Sequence, residues 1–285
     1  MKLRIAAVQY HFRPINHFDQ FKAQVSHYVE TAAEYGAQMV LFPEFLTTQL
    51  ATIRDENHPE GIPIRELASF TEAYEELFRT LAARHRQYIV GGTHIIRQGE
   101  KWYNSAHFFY PDGRIERQAK LHLTPVEKEP WRLSPGENLN LFDTPWGKVA
   151  LLICYDVEFP ELARLARARG ATLILCPSCT DDQHGFYRVR YSAHARAVEN
   201  QVYVVTTGTT GMMPLPFMRT HYGQAAFITP NDLGFPPKGI LMEGELNQDM
   251  VVAADLDLAL LDQVRQGGAV APWTDRRTDL YPDWK

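Results

Sequence analysis

The stretch GAQMVLFPEF (36–45) returns later in the chain as GATLILCPSC (170–179), with its parts in the same order. Each copy opens on Gly-Ala, runs through an apolar strand, and reaches a proline one residue before a polar side chain. Outward from these copies the neighbours repeat as well. LRIAAVQY (3–10) precedes the first and KVALLICYD (148–156) the second, while YIVGGTHII (88–96) and VYVVTTGT (202–209) follow. Any two βα units share some letters, so chance likeness is the competing explanation. The reading adopted is an α/β fold of two similar halves, each a sheet covered by helices on one side. Packed sheet against sheet, they make a four-layer α-β-β-α sandwich.

Between the strands the apolar period changes from two to 3.6. A helix is expected over 16–35, with Phe18, Phe21, Val25, Tyr28, Val29 and Ala32 on one stripe and Gly36 as its stop. Further helices are expected near 67–86, 160–169 and 189–200, and a polar loop over 47–66. Residues 102–110 and 114–120 read as a hairpin around Pro111-Asp112-Gly113, which is turn chemistry. QAAFITP (224–230) and MVVAADLD (250–257) read as a further strand pair. No linker or low-complexity tract divides the chain, so residues 1–285 are expected to form a single domain.

Composition narrows the function. The 285 residues are 45% hydrophobic and 22% charged, with a formal net charge of −5 and a pI near 6.1. Basic residues are scattered, and the densest run, RLARARG (164–170), alternates with apolar positions like a solvated helix face. No nucleic-acid partner is expected. The start, MKLRIAAVQYHF, imitates a signal peptide, but Gln9, His11 and Arg13 interrupt the apolar run. No run approaches the roughly 20 apolar residues that span a bilayer. Three cysteines do not suggest a disulfide framework. A cytoplasmic protein with no membrane partner is expected.

Three segments carry chemistry. In LLICYDVEFPELARL (151–165), Cys154 falls at the carboxyl end of a buried strand, and Pro160 suits the first turn of the next helix. A thiol at such a turn projects into the crevice beyond the strand, where peptide N–H groups can face an oxyanion. A buried structural cysteine is the plainer alternative. Pro43-Glu44 also ends an apolar strand; a poorly solvated carboxylate there has a raised pKa and can carry protons, although an ordinary loop glutamate fits too. Lys120, in AKLHLTPVEKE (119–129), follows the hairpin. An ammonium beside a thiol stabilises a thiolate or an oxyanion, but alone it reads as a solvated charge.

Together these segments resemble the nitrilase superfamily, the carbon–nitrogen hydrolases. The resemblance runs in order through AAVQ (6–9), FPEF (42–45), KLHL (120–123), SPGE (134–137), CYDVEFPE (154–161), ARAVENQVYV (195–204) and RRTDLY (276–281). It implies Glu44 as general base, Lys120 as the cation near the oxyanion, Cys154 as the attacking thiol and Glu127 as a second glutamate that positions substrate and relays protons. Glu129 competes with Glu127 for that role. The backbone N–H of Tyr155 is implied as an oxyanion donor, and Ser178 and Cys179 as lining of the substrate site. No metal or other cofactor is implied. His122 suggests a Cys–His dyad, but the resemblance assigns that work to Lys and Glu. Cys176-Pro-Ser-Cys179 has the spacing of a redox motif or half a zinc site, without a second pair. Asp156 and Glu158 read as braces of the nucleophile turn, and Arg196 and Glu199 as a structural ion pair or a subunit contact.

The resemblance also implies a homodimer or larger even assembly, with residues after about 255 forming a tail toward a partner subunit. The activity expected is hydrolysis of a small linear amide through a cysteine thioester. A nitrilase or an N-carbamoyl-amine amidohydrolase would use the same residues, and a non-catalytic binding protein is the reading from another class. The stretches 208–224 and 231–245 depart from the commoner pattern and are expected to shape the pocket mouth or an interface, as is the loop at 47–66.

Overall fold

A computed structural model describes residues 1–215 and 217–280. The first half contains strands β1 (Lys2–Phe12), β2 (Met39–Leu41), β3 (Tyr88–Gln98), β4 (Lys101–Phe109) and β5 (Ile115–Ala119), with helices α1 (Phe18–Glu34), α2 (Thr71–His85) and the short α3 (Pro125–Lys128). The second contains β6 (Leu141–Thr144), β7 (Gly147–Leu151), β8 (Ala171–Pro177) and β9 (Tyr203–Thr207), with α4 (Pro160–Ala168) and α5 (Gln183–Asn200). Then come β10 (Thr209–Met212), β11 (Thr220–His221), β12 (Ala226–Ile228), β13 (Ile240–Glu243), β14 (Met250–Asp257) and α6 (Leu258–Gly267).

The repeat seen in the letters is a repeat in space. β1, β2 and β3 run parallel and β4 adds antiparallel; β7, β8 and β9 run parallel and β12 adds antiparallel. The first sheet has the order β11-β10-β1-β2-β3-β4-β5, with β14 also on β1, and the second has β13-β12-β9-β8-β7-β6. Side chains of β1 divide by parity, as a strand with two covered faces requires. Leu3, Ile5 and Ala7 share a core with the second sheet, whereas Ala6, Val8 and Tyr10 pack with Phe21, Val25 and Val29 of α1. Ala163, Val189 and Ala193 of α4 and α5 close the far side. The four layers are those of the expected sandwich.

Local chemistry explains several boundaries. Gln20 accepts from the N–H groups of Asn16 and His17 at the start of α1, and Gly36, at φ +70°, ends it. Gly92, at φ +68°, lies so close to the Pro43 carbonyl that a Cβ would sit 2.2 Å from its oxygen. The second glycine of YIVGGTH thus lets the Glu44 turn rest on β3.

Four expectations need correction. MVVAADLD does not pair with QAAFITP: β12 pairs with β9 and β13, while β14 lies along β1 from Lys2↔Asp257 to Gln9↔Met250. Both of its faces are apolar, which suits a strand covered on two sides. VYVVTTGT is not one strand. It divides at Gly208, leaving β9 in the second sheet and β10 in the first. The polar stretch after Glu44 is a buried 3₁₀ turn, Leu46–Thr52. Its hydroxyls and amide are satisfied internally: Thr48 donates to Phe45 O at 2.7 Å and Gln49 to Arg13 O at 2.9 Å. Finally, the C-terminal tail starts later than residue 256, because Leu258, Leu261 and Val264 of α6 are buried in this chain's own core. Tyr281 and the residues beyond it lie outside the described residues.

Gly92→Ala should therefore lower stability by roughly 1–3 kcal/mol, through the clash with Pro43 O and the loss of a positive-φ glycine. An unchanged urea midpoint would contradict the packing described here.

Candidate active site

Four strand ends converge. Glu44 follows β2, Lys120 follows β5, Cys154 begins the turn after β7, and Cys179 follows β8. The crevice beyond the carboxyl ends of parallel strands is where α/β sheets place their ligands.

Lys120 is at the centre, its side chain 1% exposed. Its Nζ donates to Glu44 Oε1 at 2.7 Å and to Glu127 Oε2 at 2.7 Å. Asn104 Nδ2 bridges the same two carboxylates, at 2.9 Å to Glu44 and 2.8 Å to Glu127. The Cys179 peptide N–H donates to Glu44 Oε2 at 3.1 Å. Thr124 donates its N–H and its hydroxyl to Glu127 Oε2, at 2.9 and 2.8 Å. The Cys154 thiol donates to Cys179 O at 3.9 Å, and the Glu44 charge acts on it from nearby. Cys154 as a whole is buried, with 6% of its surface exposed.

The two carboxylates are alike in sequence and unlike in environment. Burial raises the pKa of Glu44, with the Lys120 charge opposing and the Glu127 charge adding. Glu127 is also desolvated, but Lys120, Asn104 and Thr124 together hold its pKa below the usual range. The two neighbouring acids are thus pushed apart in proton affinity, Glu44 up and Glu127 down. Burial, with the Glu44 charge behind it, pushes the Cys154 thiol well up, so the resting sulfur is protonated. Lys120 is pushed up by Glu44 and Glu127 against its own desolvation and stays an ammonium.

The turn that carries the thiol is held from both sides. Cys154 sits at φ +48°, a region that costs a non-glycine residue about 1–3 kcal/mol. The Asp156 carboxylate accepts from the N–H of Ile153 at 3.2 Å, of Leu121 at 3.3 Å and of His122 at 2.7 Å. It ties the Cys154 turn to the lysine segment. Arg196 of α5 donates to the carbonyls of Val157 and Glu158, each at 2.9 Å, and pairs with Glu199 at 3.1 Å.

The remaining candidates fall where their partners put them. Glu129 is at the surface beside Arg132, 3.6 Å away, remote from the lysine cluster that holds Glu127. His122 stacks on Phe159 at 3.6 Å and has its Nδ1 3.0 Å from Asp156. Glu158 is half-buried near Arg188, at 3.6 Å. The Ser178 hydroxyl donates to Cys176 O at 3.3 Å, so it is engaged within the second sheet. Of Cys179 the peptide faces Glu44, while the thiol turns toward Thr209. Cys176 and Cys179 are free thiols with separate neighbours. Tyr155 follows Cys154, with its ring edge-on to Phe159 at 4.9 Å. Of the unusual stretches, 208–224 reaches the site: Phe217 packs on Trp131 at 5.6 Å and Trp131 on Phe45 at 5.3 Å. Phe235, in 231–245, instead packs on Tyr203 at 5.7 Å.

Sequence reading missed Asn104 and Thr124. Thr124-Pro-Val-Glu127 is a capping box, visible as T-x-x-E. Asn104 follows from the hairpin register, since Ser105 opposes Ala119 and Lys120 N–H donates to Asn104 O at 2.8 Å.

Residues 4–266 match the sequence model of the carbon-nitrogen hydrolase family, and the chain belongs to that family. It is 43% identical over 280 residues to the probable hydrolase YhcX of Bacillus subtilis, covering 98% of this chain but 54% of that protein. The omega-amidase NIT2 of Danio rerio is 32% identical over 288 residues, covering 98% of this chain and 96% of that one. Among solved structures, Nit3 of Saccharomyces cerevisiae, described as a member of branch 10 of the nitrilase superfamily, aligns with a TM-score of 0.76 at 25% identity, covering 93% of each chain. A carbon-nitrogen hydrolase from Helicobacter pylori G27 shares the fold with a TM-score of 0.81 at 18% identity, covering 99% of this chain and 97% of that one.

Lys120→Met would leave two buried carboxylates without their counter-ion. A loss of roughly 3–5 kcal/mol at pH 7 is expected. Without the ammonium, both carboxylates titrate above their unfolded values in the folded state. The loss should therefore shrink as pH falls into the carboxylate range. Urea unfolding at pH 7 and pH 5 measures it; an equal or larger deficit at pH 5 would contradict the assignment.

Proposed function

We propose that this carbon–nitrogen hydrolase is an amidase that cleaves a small linear amide through a thioester on Cys154. The observation that carries the proposal is that Glu44, paired with Lys120, and the Cys154 thiol meet the two sides of one peptide residue: Cys179 N–H donates to Glu44 and Cys179 O lies 3.9 Å from the sulfur. The likeness along nearly the whole length to a protein named an omega-amidase supports the amide over the nitrile.

Glu44 takes the thiol proton as sulfur attacks the carbonyl carbon. Two Lys120 protons are held by Glu44 and Glu127, and the third, with the Tyr155 N–H, stabilises the oxyanion. Glu44 returns the proton to the leaving nitrogen, and ammonia or an amine departs. Water then attacks the thioester while Glu44 accepts its proton, and the acid leaves with the thiol restored. Glu127 stays ionised throughout and keeps Lys120 in place. Residues 1–285 act as one catalytic unit in the cytoplasm; no described helix is long and apolar enough to cross a membrane.

Cys154→Ala should fold normally and lose turnover. Brief incubation of the wild type with substrate should add the acyl mass to Cys154, and a panel pairing each nitrile with its amide should release ammonia faster from the amide. Full activity in Cys154→Ala removes the mechanism, and a nitrile preference removes the amidase assignment.

The protein also works as a homodimer in this proposal, joined by the outer face of α4 and α5. Leu165, Tyr187, Tyr191 and Val198 are exposed there, and Tyr187 and Tyr191 stack at 5.5 Å. Tyr191→Arg should convert dimers to monomers in sedimentation experiments; an unchanged mass would place the interface elsewhere.

A further inference from the structure

The stretch 208–224 does more than meet Trp131. It forms the hairpin β10–β11, which grips the segment after β8. Tyr222 N–H donates to Thr180 O at 2.8 Å, Thr180 Oγ1 donates to Tyr222 O at 2.6 Å, and Thr220 Oγ1 donates to Asp181 O at 3.0 Å. Inside this clamp lies a polar chain. The Thr209 hydroxyl donates to Cys179 Sγ at 3.2 Å, and His221 Nδ1 is 2.9 Å from the Thr209 oxygen and 3.7 Å from Cys179 Sγ. Thr209 is fully buried and His221 is 6% exposed.

Burial holds the His221 pKa down at about 4, so the ring is neutral at working pH. The Thr209 hydroxyl, the His221 Nδ1 and the Cys179 sulfur form one closed set of polar contacts. A valine would fill a β-branched position in β10 equally well, so strand formation does not account for the hydroxyl.

What the chain of bonds holds is the residue with both peptide groups on the reacting pair. Cys179 N–H binds Glu44 Oε2 at 3.1 Å, and Cys179 O is 3.9 Å from Cys154 Sγ. We infer that Thr209 and His221 are positioning residues for the general base, acting through the Cys179 side chain to aim its peptide at Glu44. The inference rests on the roles proposed above for Glu44 and Cys154. Loosening that peptide weakens a hydrogen bond to the ionised form of Glu44, so its pKa should rise. The titratable groups facing Glu44 are Lys120, Glu127 and Cys154, with the Cys176 and Cys179 thiols also under its charge; of these only Cys179, which burial keeps a neutral thiol, loses a contact when Thr209 or His221 is changed.

The test is the pH dependence of iodoacetamide alkylation at Cys154, located by peptide mass mapping, in Thr209→Val, Thr209→Ser and His221→Phe. The acidic limb reports the Glu44–Cys154 pair. It should move up by about half a pH unit or more in Thr209→Val and His221→Phe, and stay at the wild-type position in Thr209→Ser. His221→Phe keeps a ring against Phe12, now 4.6 Å away, and reads the same link should Thr209→Val fail to fold. A wild-type limb in either folded variant, or a Thr209→Ser limb displaced as far as Thr209→Val, overturns the inference. Alkylation needs no amide, so this outcome is separable from failure of the proposed activity, which Cys154→Ala turnover decides.

Discussion

One buried ammonium organises the molecule's chemistry. Lys120 sits between two carboxylates with almost no access to water, where an unpaired ion would cost several kcal/mol. With both acids ionised the cluster carries one net negative charge, and the neutral thiol adds none. Moving the thiol proton to Glu44 leaves that total unchanged. Charge shifts from oxygen to sulfur beside the same ammonium, so the step creates no new buried charge. A thiolate formed by losing its proton to solvent would create one, which is why burial and Glu44 hold the resting sulfur protonated.

The two carboxylates differ in proton affinity because their donors differ. Glu127 is held by Lys120, Asn104 and both polar hydrogens of Thr124. It resembles a ligand more than a titrating group. Glu44 has three donors, from Lys120, Asn104 and the Cys179 peptide, and burial pushes its pKa up. Asn104 keeps the pair in register by donating to both, and β4 supplies it from the position that hydrogen-bonds the Lys120 backbone.

Such a site needs supports that do not titrate into it. Asp156 binds peptide N–H groups from the Cys154 turn and from the lysine segment, so Cys154 and Lys120 cannot drift apart independently. Arg196 holds the carbonyls of Val157 and Glu158 in the same turn from the helix layer. Gly92 lets the Glu44 turn sit on β3 without a clash. The duplicated architecture explains the arrangement: equivalent strand ends, after β2 and after β8, present Glu44 and the Cys179 peptide to each other across the two sheets.

Much of this could be read from the letters. Strand and helix periods, the paired GA-to-proline segments and the strand-end positions of Glu44 and Cys154 are local, because backbone sterics and apolar period act over a few residues. The four layers follow once both halves are seen to need a covered sheet. What only the tertiary structure decided is long-range. β14 lies on β1 rather than β12, since two apolar faces can be buried at either sheet and only packing chooses. Glu127 and Glu129 are two residues apart, yet one lies within α3 facing Lys120 and the other points to water. The polar stretch Thr47–Gln49 is buried because its partners, Arg13 and His94 among them, arrive from elsewhere in the chain. The same holds for Cys179: its spacing from Cys176 suggested a dithiol, but the neighbours that set its role are Glu44, Thr209 and His221, brought to it by folding. A hydrogen bond is decided within about 3 Å, and distance of that kind is written in no single segment.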